Sequence, residues 1–335
     1  MLEHGGRLNA AATRYGIPVA DWVDLSTGIA PYAYPVPPLP ASSWQRLPEC
    51  DDGLEQVACA YYGVERCLPL PGSQAAIQLL PRLRSASVVS LLPTTYSEYA
   101  AGWQRAGHRV NACPANDLLH AATVTDVIML GNPNNPTGQT FGRDQLLLIA
   151  SELHRHGGWL VIDEAFADST HESPTTSMAA LAGTNLAPNL IVLRSIGKFF
   201  GLAGARVGFM MAQAGLLDAM AEEIGPWAIA HPSRVAACAA LADFSWQREQ
   251  RQRLHDDSRR LTDLFRVSGL ENSSGSELFR YLETRHAEKM QDFFAQRGIL
   301  LRLFNTPLAV RIGLPATESA WQRLTTALLE WKIRE

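Results

Sequence analysis

The chain has 335 residues, 47% of them hydrophobic and 19% charged, with a formal charge of −4 at pH 7. A chain of this length and polarity can close a large core, as two domains or one large α/β unit, and is not a disordered one; its slight acidity gives no electrostatic footprint for nucleic acid or anionic membranes. The five cysteines form no C-x-x-C pair, no run approaches the ~18 apolar residues of a membrane span, and the opening MLEHGGRLNAAATRYG lacks an apolar signal core, so a metal-free enzyme of the cytoplasm is the expectation.

The first predicted feature is a proline-punctuated stretch, APYAYPVPPLP (Ala30 to Pro40). Proline fixes φ and lacks an amide donor, so this segment reads as an extended linker after an N-terminal arm. GLEQVACAYYG then predicts a short amphipathic helix closed by Gly63, and LPLPGSQAAIQLLPRL a turn leading into a helix, with Ser73 as its cap beside Gly72. From Ser87 onward, apolar β-branched runs alternate with helical patterns. SVVSLLP, VTDVIMLGN, WLVIDEAF and NLIVLRS read as strands, and Arg143 to His156 as a crossover helix. Near-continuous apolar strands joined by helices predict a mostly parallel sheet covered on both faces, with ligands bound beyond the carboxyl ends of its strands. After the sheet come a helix, a proline break and a second helix (AGLLDAMAEEIGPWAIAHPSRVAACAALADF). The C-terminal part offers short strands in GSELFRYLET and PLAVRIGLP, and helices over Arg285 to Gly298 and Glu318 to Arg334, as in a smaller α+β domain. The expected division is residues 1–40 as arm and linker, 41–225 as the large domain and 226–335 as the small one.

The unusual residues fall at the predicted strand ends. LGNPNNPTG makes a rigid loop that holds Asn135 where its amide can reach a ligand, although a plain surface turn has the same composition. Asp163 ends a buried strand, and a carboxylate there needs a partner: a helix amide, an arginine or a cationic ring nitrogen. RSIGKFFGLAGARVGF sets Lys198 and Arg206 among small and aromatic residues. A desolvated lysine suits Schiff-base chemistry, while most lysines are solvated surface charges. Ser195 and Arg206 flank Lys198 at spacings that let both reach one phosphate, and Gly72-Ser73-Gln74 opens a helix, an arrangement that gathers anions.

Taken together and in this order, Gly72-Ser73, Tyr96, Asn135, Asp163, Ser195, Lys198 and Arg206 resemble the fold type I pyridoxal-phosphate enzymes, the aspartate-aminotransferase superfamily, and within it the histidinol-phosphate aminotransferase branch. The resemblance spans nearly the whole chain. It implies an aminotransferase-like fold, with a mostly parallel seven-stranded sheet in a large cofactor domain plus a smaller α+β domain, and a homodimer. It implies that Lys198 bonds covalently to pyridoxal 5'-phosphate, that Asp163 pairs with the ring nitrogen, that Asn135 bonds the ring oxygen and that Tyr96 stacks on the ring. Gly72, Ser73, Gln74, Ser195 and Arg206 would hold the cofactor phosphate, and Arg311 would clamp a substrate carboxylate.

The HGG of His4 to Gly6, followed by AATRYGIP and WVDLSTGIAP, resembles the threonine-phosphate decarboxylases of the cobalamin pathway. This implies decarboxylation of L-threonine O-3-phosphate to (R)-1-amino-2-propanol O-2-phosphate, with His4, Arg7 and Arg143 as candidates for the substrate phosphate. The sequence departs from the family pattern at three places. Gly28 and Ala30 replace two asparagines, LPECDDGLEQ lacks the two tyrosines of a Tyr-Pro-x-x-x-Tyr segment, and Phe166 stands where many relatives have tyrosine. The alternatives are a histidinol-phosphate-type aminotransferase and, from another class, a non-catalytic partner protein in a cobalamin assembly complex.

Overall fold

The computed structural model describes residues 4–170 and 176–332. In chain order its first strands are β1 (Val23–Asp24), β2 (Leu68–Leu70), β3 (Val88–Leu91), β4 (Arg109–Ala112), β5 (Val127–Gly131), β6 (Trp159–Asp163), β7 (Leu190–Ser195) and β8 (Gly208–Met211). Then follow β9 (Ser274–Ser276), β10 (Phe279–Glu283), β11 (Ile299–Leu300), β12 (Arg302–Asn305) and β13 (Leu308–Gly313). The helices that matter below are α1 (Leu8–Tyr15), α2 (Leu54–Tyr62), α3 (Ser73–Leu79), α4 (Ser97–Arg105), α5 (Leu118–Ala121), α6 (Arg143–His154), α7 (Ala214–Ile224), α8 (His231–Ala242), α9 (Phe244–Val267), α10 (Ala287–Ala295) and α11 (Glu318–Lys332).

A seven-stranded sheet in the order β2-β8-β7-β6-β5-β3-β4 forms the centre. All its strands point one way except β8, which pairs antiparallel with both β7 and β2. The two-residue periodicity of the strands sorts their side chains into two cores. Ile128, Leu130, Leu160, Ile162, Leu190 and Val192 join one, beside α2, α6 and α8. Val127, Met129, Val161, Ile191 and Leu193 join the other, beside α3, α4 and α7. Counting on by twos, Asp163 and Ser195 emerge on the α3–α4 face, and Arg194 on the opposite one.

A four-stranded antiparallel sheet, β12-β13-β10-β9, and a short parallel pair, β1-β11, complete the described strands. The long helix α9 is capped by Asp243, whose carboxylate accepts the Trp246 amide at 3.0 Å. Its Gln250 donates to the Tyr32 and Phe199 carbonyls, tying the linker to the loop after β7. That linker is extended as expected, and its backbone bonds directly to the lysine-bearing loop: Ala30 N–H to Lys198 O, and Tyr34 N–H to Phe200 O. Gly201 permits this approach, since a Cβ there would lie 2.7 Å from Ala33 Cα.

Several expectations are corrected. Leu68–Leu70, read as a turn, is a strand, which tolerates Pro69 because it lies at the sheet edge. Ser73 is not the cap of α3 but its first residue; Gly72 takes the cap position with φ 79°, a conformation that favours glycine. The crossover helix α6 ends at His154 and α10 covers only Ala287–Ala295. Of the helix predicted to Arg334, the part through Lys332 is observed and the rest lies outside the described residues. Among the described residues no helix is long and apolar enough to cross a membrane, and no His, Cys, Asp and Glu group has the arrangement of a metal site.

Candidate active site

The loops after β3, β5, β6 and β7 converge on a cleft of about 560 Å³. It is lined by Ser73, Gln74, Tyr96, Asn135, Asp163, Ser195, Lys198, Arg206 and Arg311, with His4 at its lip. Gly72 lies directly behind Arg206: a Cβ at Gly72 would sit 2.7 Å from Arg206 Nη2. Arg7 stands at the start of α1 and Arg143 at the start of α6; neither lines the cleft, so the substrate-phosphate role suggested for them has no support in its geometry.

The LGNPNNPTG loop divides its work among three asparagines. Asn132 is buried and exchanges hydrogen bonds with the Phe141 backbone at 3.0 and 3.3 Å. Asn134, fully buried, donates to Thr94 O and Thr137 Oγ1 and accepts from Thr95 Oγ1, each at 2.8 Å. Asn135 is left to face the cleft, where its Oδ1 accepts Arg311 Nη1 at 2.6 Å. That bond fixes the amide so that its Nδ2 donors point elsewhere, free for a ligand oxygen. Gly138 must be glycine because the loop packs against the small sheet, where a Cβ would strike Gly275 O at 1.9 Å.

Asp163 closes β6 in a dry environment, 6% exposed. Its Oδ1 accepts the Ala165 amide at 3.0 Å and its Oδ2 accepts the Tyr99 hydroxyl at 2.9 Å. Burial pushes its pKa up, against the opposing pull of those two donors and of Lys198. Lys198 is shifted the other way: burial, with Arg311 and Arg206 adding to it, lowers its amine to about 8, while Asp163 opposes. Its Nζ lies 5.7 Å from the Phe166 ring centre.

Arg311 is 7% exposed and among the described residues its hydrogen bonds reach neutral oxygens, Asn135 Oδ1 and the Ser26 carbonyl at 3.0 Å. Its Nε has no hydrogen-bond partner among the described residues. Burial, seconded by Arg302, lowers its pKa to about 10. Arg302 lies directly opposite Arg311 across the β12–β13 ladder and also lines the cleft. Lys198, Arg206, Arg302 and Arg311 line the cleft, and among the described residues its lining holds one carboxylate, Asp163.

Three residues of the site were not anticipated: Tyr99, Arg302 and Glu98, which accepts His4 Nε2 at 2.8 Å and Gln78 Nε2 at 2.9 Å. Tyr99 was readable as the residue one helical turn after Tyr96; Arg302 gave no signal, because its four-residue strand is too short to show a period. Two of the departures noted in the sequence, Gly28 and Phe166, are neighbours. A Cβ at Gly28 would lie 2.9 Å from both Phe166 and Phe279, so the ring of Phe166 fills the space a larger residue 28 would need. In the segment without tyrosines, Asp52 instead receives Arg234 at 2.6 and 2.7 Å.

These residues fit pyridoxal phosphate. A buried carboxylate with a raised pKa suits a cationic ring nitrogen, a lysine of lowered pKa suits an aldehyde, and Arg206 behind a side-chain-free Gly72 suits a phosphate. Fold and site together define a pyridoxal-phosphate-dependent enzyme of aminotransferase-like architecture. The chain belongs to the family described as aminotransferase class I and II, whose profile matches residues 41–331. It is 51% identical over 332 residues to a threonine-phosphate decarboxylase of Pseudomonas aeruginosa, covering 99% of this chain and 98% of that protein. It is 36% identical over 338 residues to a threonine-phosphate decarboxylase of Sinorhizobium sp, covering 99% of both. In fold it is similar to a histidinol-phosphate aminotransferase of Sinorhizobium meliloti solved with pyridoxal-5'-phosphate, with a TM-score of 0.85, 22% identity and coverage of 99% of this chain and 96% of that one.

Proposed function

We propose that the chain decarboxylates L-threonine O-3-phosphate, giving (R)-1-amino-2-propanol O-2-phosphate for cobalamin synthesis. The observation that carries this reading is the pair Arg302 and Arg311, opposed on adjacent strands and both lining the cleft, which matches a substrate with one carboxylate and one phosphate. Similarity to two threonine-phosphate decarboxylases over the full chain supports the same substrate.

Arg311 grips the substrate carboxylate, using the guanidinium edge that meets no acidic partner among the described residues. Its bond to Asn135 fixes the direction of that grip. Arg302, with His4 from the N-terminal arm, receives the substrate phosphate. Bound pyridoxal phosphate supplies a ring that accepts the electron pair left on the α-carbon when carbon dioxide departs. Lys198, with a pKa near 8, exchanges a proton readily near neutrality and delivers the one that replaces the carboxylate. With the cofactor bound, Tyr96 would cover its ring, Asp163 would hold the ring nitrogen charged, and Gly72, Ser73, Gln74, Ser195 and Arg206 would hold its phosphate. Phe166, Phe279 and the bare Gly28 exclude water on the wall beside Lys198.

The active form is a homodimer; Trp44, Leu47 and Trp227, at 72%, 62% and 60% exposure, mark apolar surface for a second copy. Residues 41–225 form the cofactor domain and 226–335 the small one. Five free thiols fit a cytoplasmic protein.

The test is incubation of the holoenzyme with L-threonine O-3-phosphate and measurement of carbon dioxide, with and without a 2-oxo acid. Release of carbon dioxide that does not depend on the 2-oxo acid is expected. Formation of a new amino acid from the 2-oxo acid, without carbon dioxide, would make the chain an aminotransferase instead.

A further inference from the structure

Asp163 is held by a device that its own role does not require. The carboxylate has four lone-pair positions, and an adjacent backbone amide, Ala165 N–H, already satisfies one oxygen. The other oxygen is met by a side chain from a different layer of the fold: Tyr99 of α4, whose hydroxyl donates at 2.9 Å. Tyr99 is 2% exposed, and Trp103, one turn further along the same helix, is completely buried beneath it with its Nε1 against Met129 Sδ at 3.4 Å. The hydroxyl therefore has little freedom to swing away.

Tyr99 lies in the first turn of α4, and Tyr96 is the N-cap residue just before that helix. Their centroids are 5.4 Å apart and their planes cross at 86°. The cap and the first turn of α4 thus set the flat ring of the cleft wall and the donor to its carboxylate side by side. Burial first, and then Asp163, push the Tyr99 hydroxyl well above its ordinary pKa, so it remains a neutral donor at every physiological pH. The charged and titratable groups that act on the carboxylate from the surrounding elements are Lys198 from the loop after β7, Glu164 next in chain, Tyr99 from α4 and Tyr96 from its N-cap.

We propose that Tyr99 is a positioning residue: it orients the Asp163 carboxylate toward the ring nitrogen of the cofactor and keeps it ionised there. A carboxylate with one fewer donor in a dry site shares a proton more readily and turns more freely about its last torsion. Both changes weaken the charge that Asp163 offers to the ring nitrogen. The proposal rests on the cofactor and not on the choice of substrate, so its test can be read without turnover.

The experiment compares holoenzyme of the parent and of Tyr99→Phe, which keeps every ring contact and removes only the hydroxyl. The absorbance of the bound cofactor is titrated against pH, the affinity for pyridoxal phosphate is measured, and kcat and KM for threonine phosphate are determined. The expected result is a displaced absorbance titration and an affinity and kcat each lower by roughly tenfold, the size associated with a lost hydrogen bond to a charged group, with KM changed by less than about twofold. In an Asp163→Asn background the same substitution should have almost no further effect, because the partner it acts through is gone. An unchanged pH titration, or effects that add fully to those of Asp163→Asn, would overturn the proposal and leave Tyr99 a packing residue. Melting of the cofactor-free proteins monitors the fold. If the Phe variant fails to fold, Tyr99→His, which returns an N–H donor, decides: recovery of the parent titration supports the role, and a displaced one refutes it. Inactivity of the parent toward threonine phosphate would strike the substrate reading alone, since the titration and the affinity are independent of it.

Discussion

Arg311 should be indispensable to turnover and at the same time a weight on the fold. Its guanidinium is buried against neutral oxygens, and its pKa falls from 12.5 to about 10. A drop of that size corresponds to a penalty of about 3 kcal/mol for keeping the group charged in the folded protein. Because the folded pKa lies below the unfolded one, the penalty is complete below about pH 10 and fades only as the pH approaches 12.5. Arg311→Met removes the charge while keeping most of the volume. It also strips a donor from Asn135 Oδ1 and from Ser26 O, which costs about 1 kcal/mol each. The net gain is about 1 kcal/mol at pH 7, which over the unfolding entropy of a chain this long raises the melting temperature by about 1–2 °C. Activity moves the other way. Losing one partner of a buried charge pair costs about 3–5 kcal/mol, or about 10²–10⁴-fold in kcat/KM. The assays are thermal melting of the cofactor-free protein at pH 7 and steady-state kinetics of the holoenzyme. A variant that melts several degrees below the parent would refute the view of Arg311 as a cation waiting for an anion.

Other outcomes follow from the same geometry. In the cofactor-free protein Lys198 should react with an amine-selective reagent with a midpoint near pH 8 instead of 10.5. Since its folded pKa is the lower one, this group destabilises the fold fully below pH 8 and progressively less up to 10.5, so denaturant melts of parent and Lys198→Met should converge across that window. Gly72→Ala places a Cβ against Arg206 at a φ of 79°, and should weaken pyridoxal phosphate binding by about tenfold or more in equilibrium dialysis. Asp163→Asn should retain the cofactor but lower kcat by about 10²-fold or more, with a correspondingly altered absorbance spectrum.

The central sheet was legible because strands buried on both faces leave long apolar runs: β5, β6 and β7 stand within the predicted segments. Strands β2, β4 and β8 were not, and for physical reasons. β2 contains a proline, β4 lies at the sheet edge with exposed residues, and β8 is the short antiparallel return of a glycine-rich loop. The cleft residues were legible where chemistry is concentrated in short order, as in the loop of Asn135 and the segment of Lys198 and Arg206. Tyr99 escaped because its partner, Asp163, is distant in sequence and meets it only through helix packing, and Arg302 because its four-residue strand is too short to show a period. The three departures from the family pattern were visible as letters; that Gly28 and Phe166 are one packed unit was not.

The most direct test of the site is chemical trapping at Lys198. Protein purified with pyridoxal phosphate is reduced with borohydride, digested, and mapped by mass spectrometry. A single modified peptide is expected, the one spanning Arg194 to Phe209, with the mark on Lys198 and none in Lys198→Ala. A mark on another lysine, or no mark in material that binds the cofactor, would contradict the assignment on which the proposed catalysis depends.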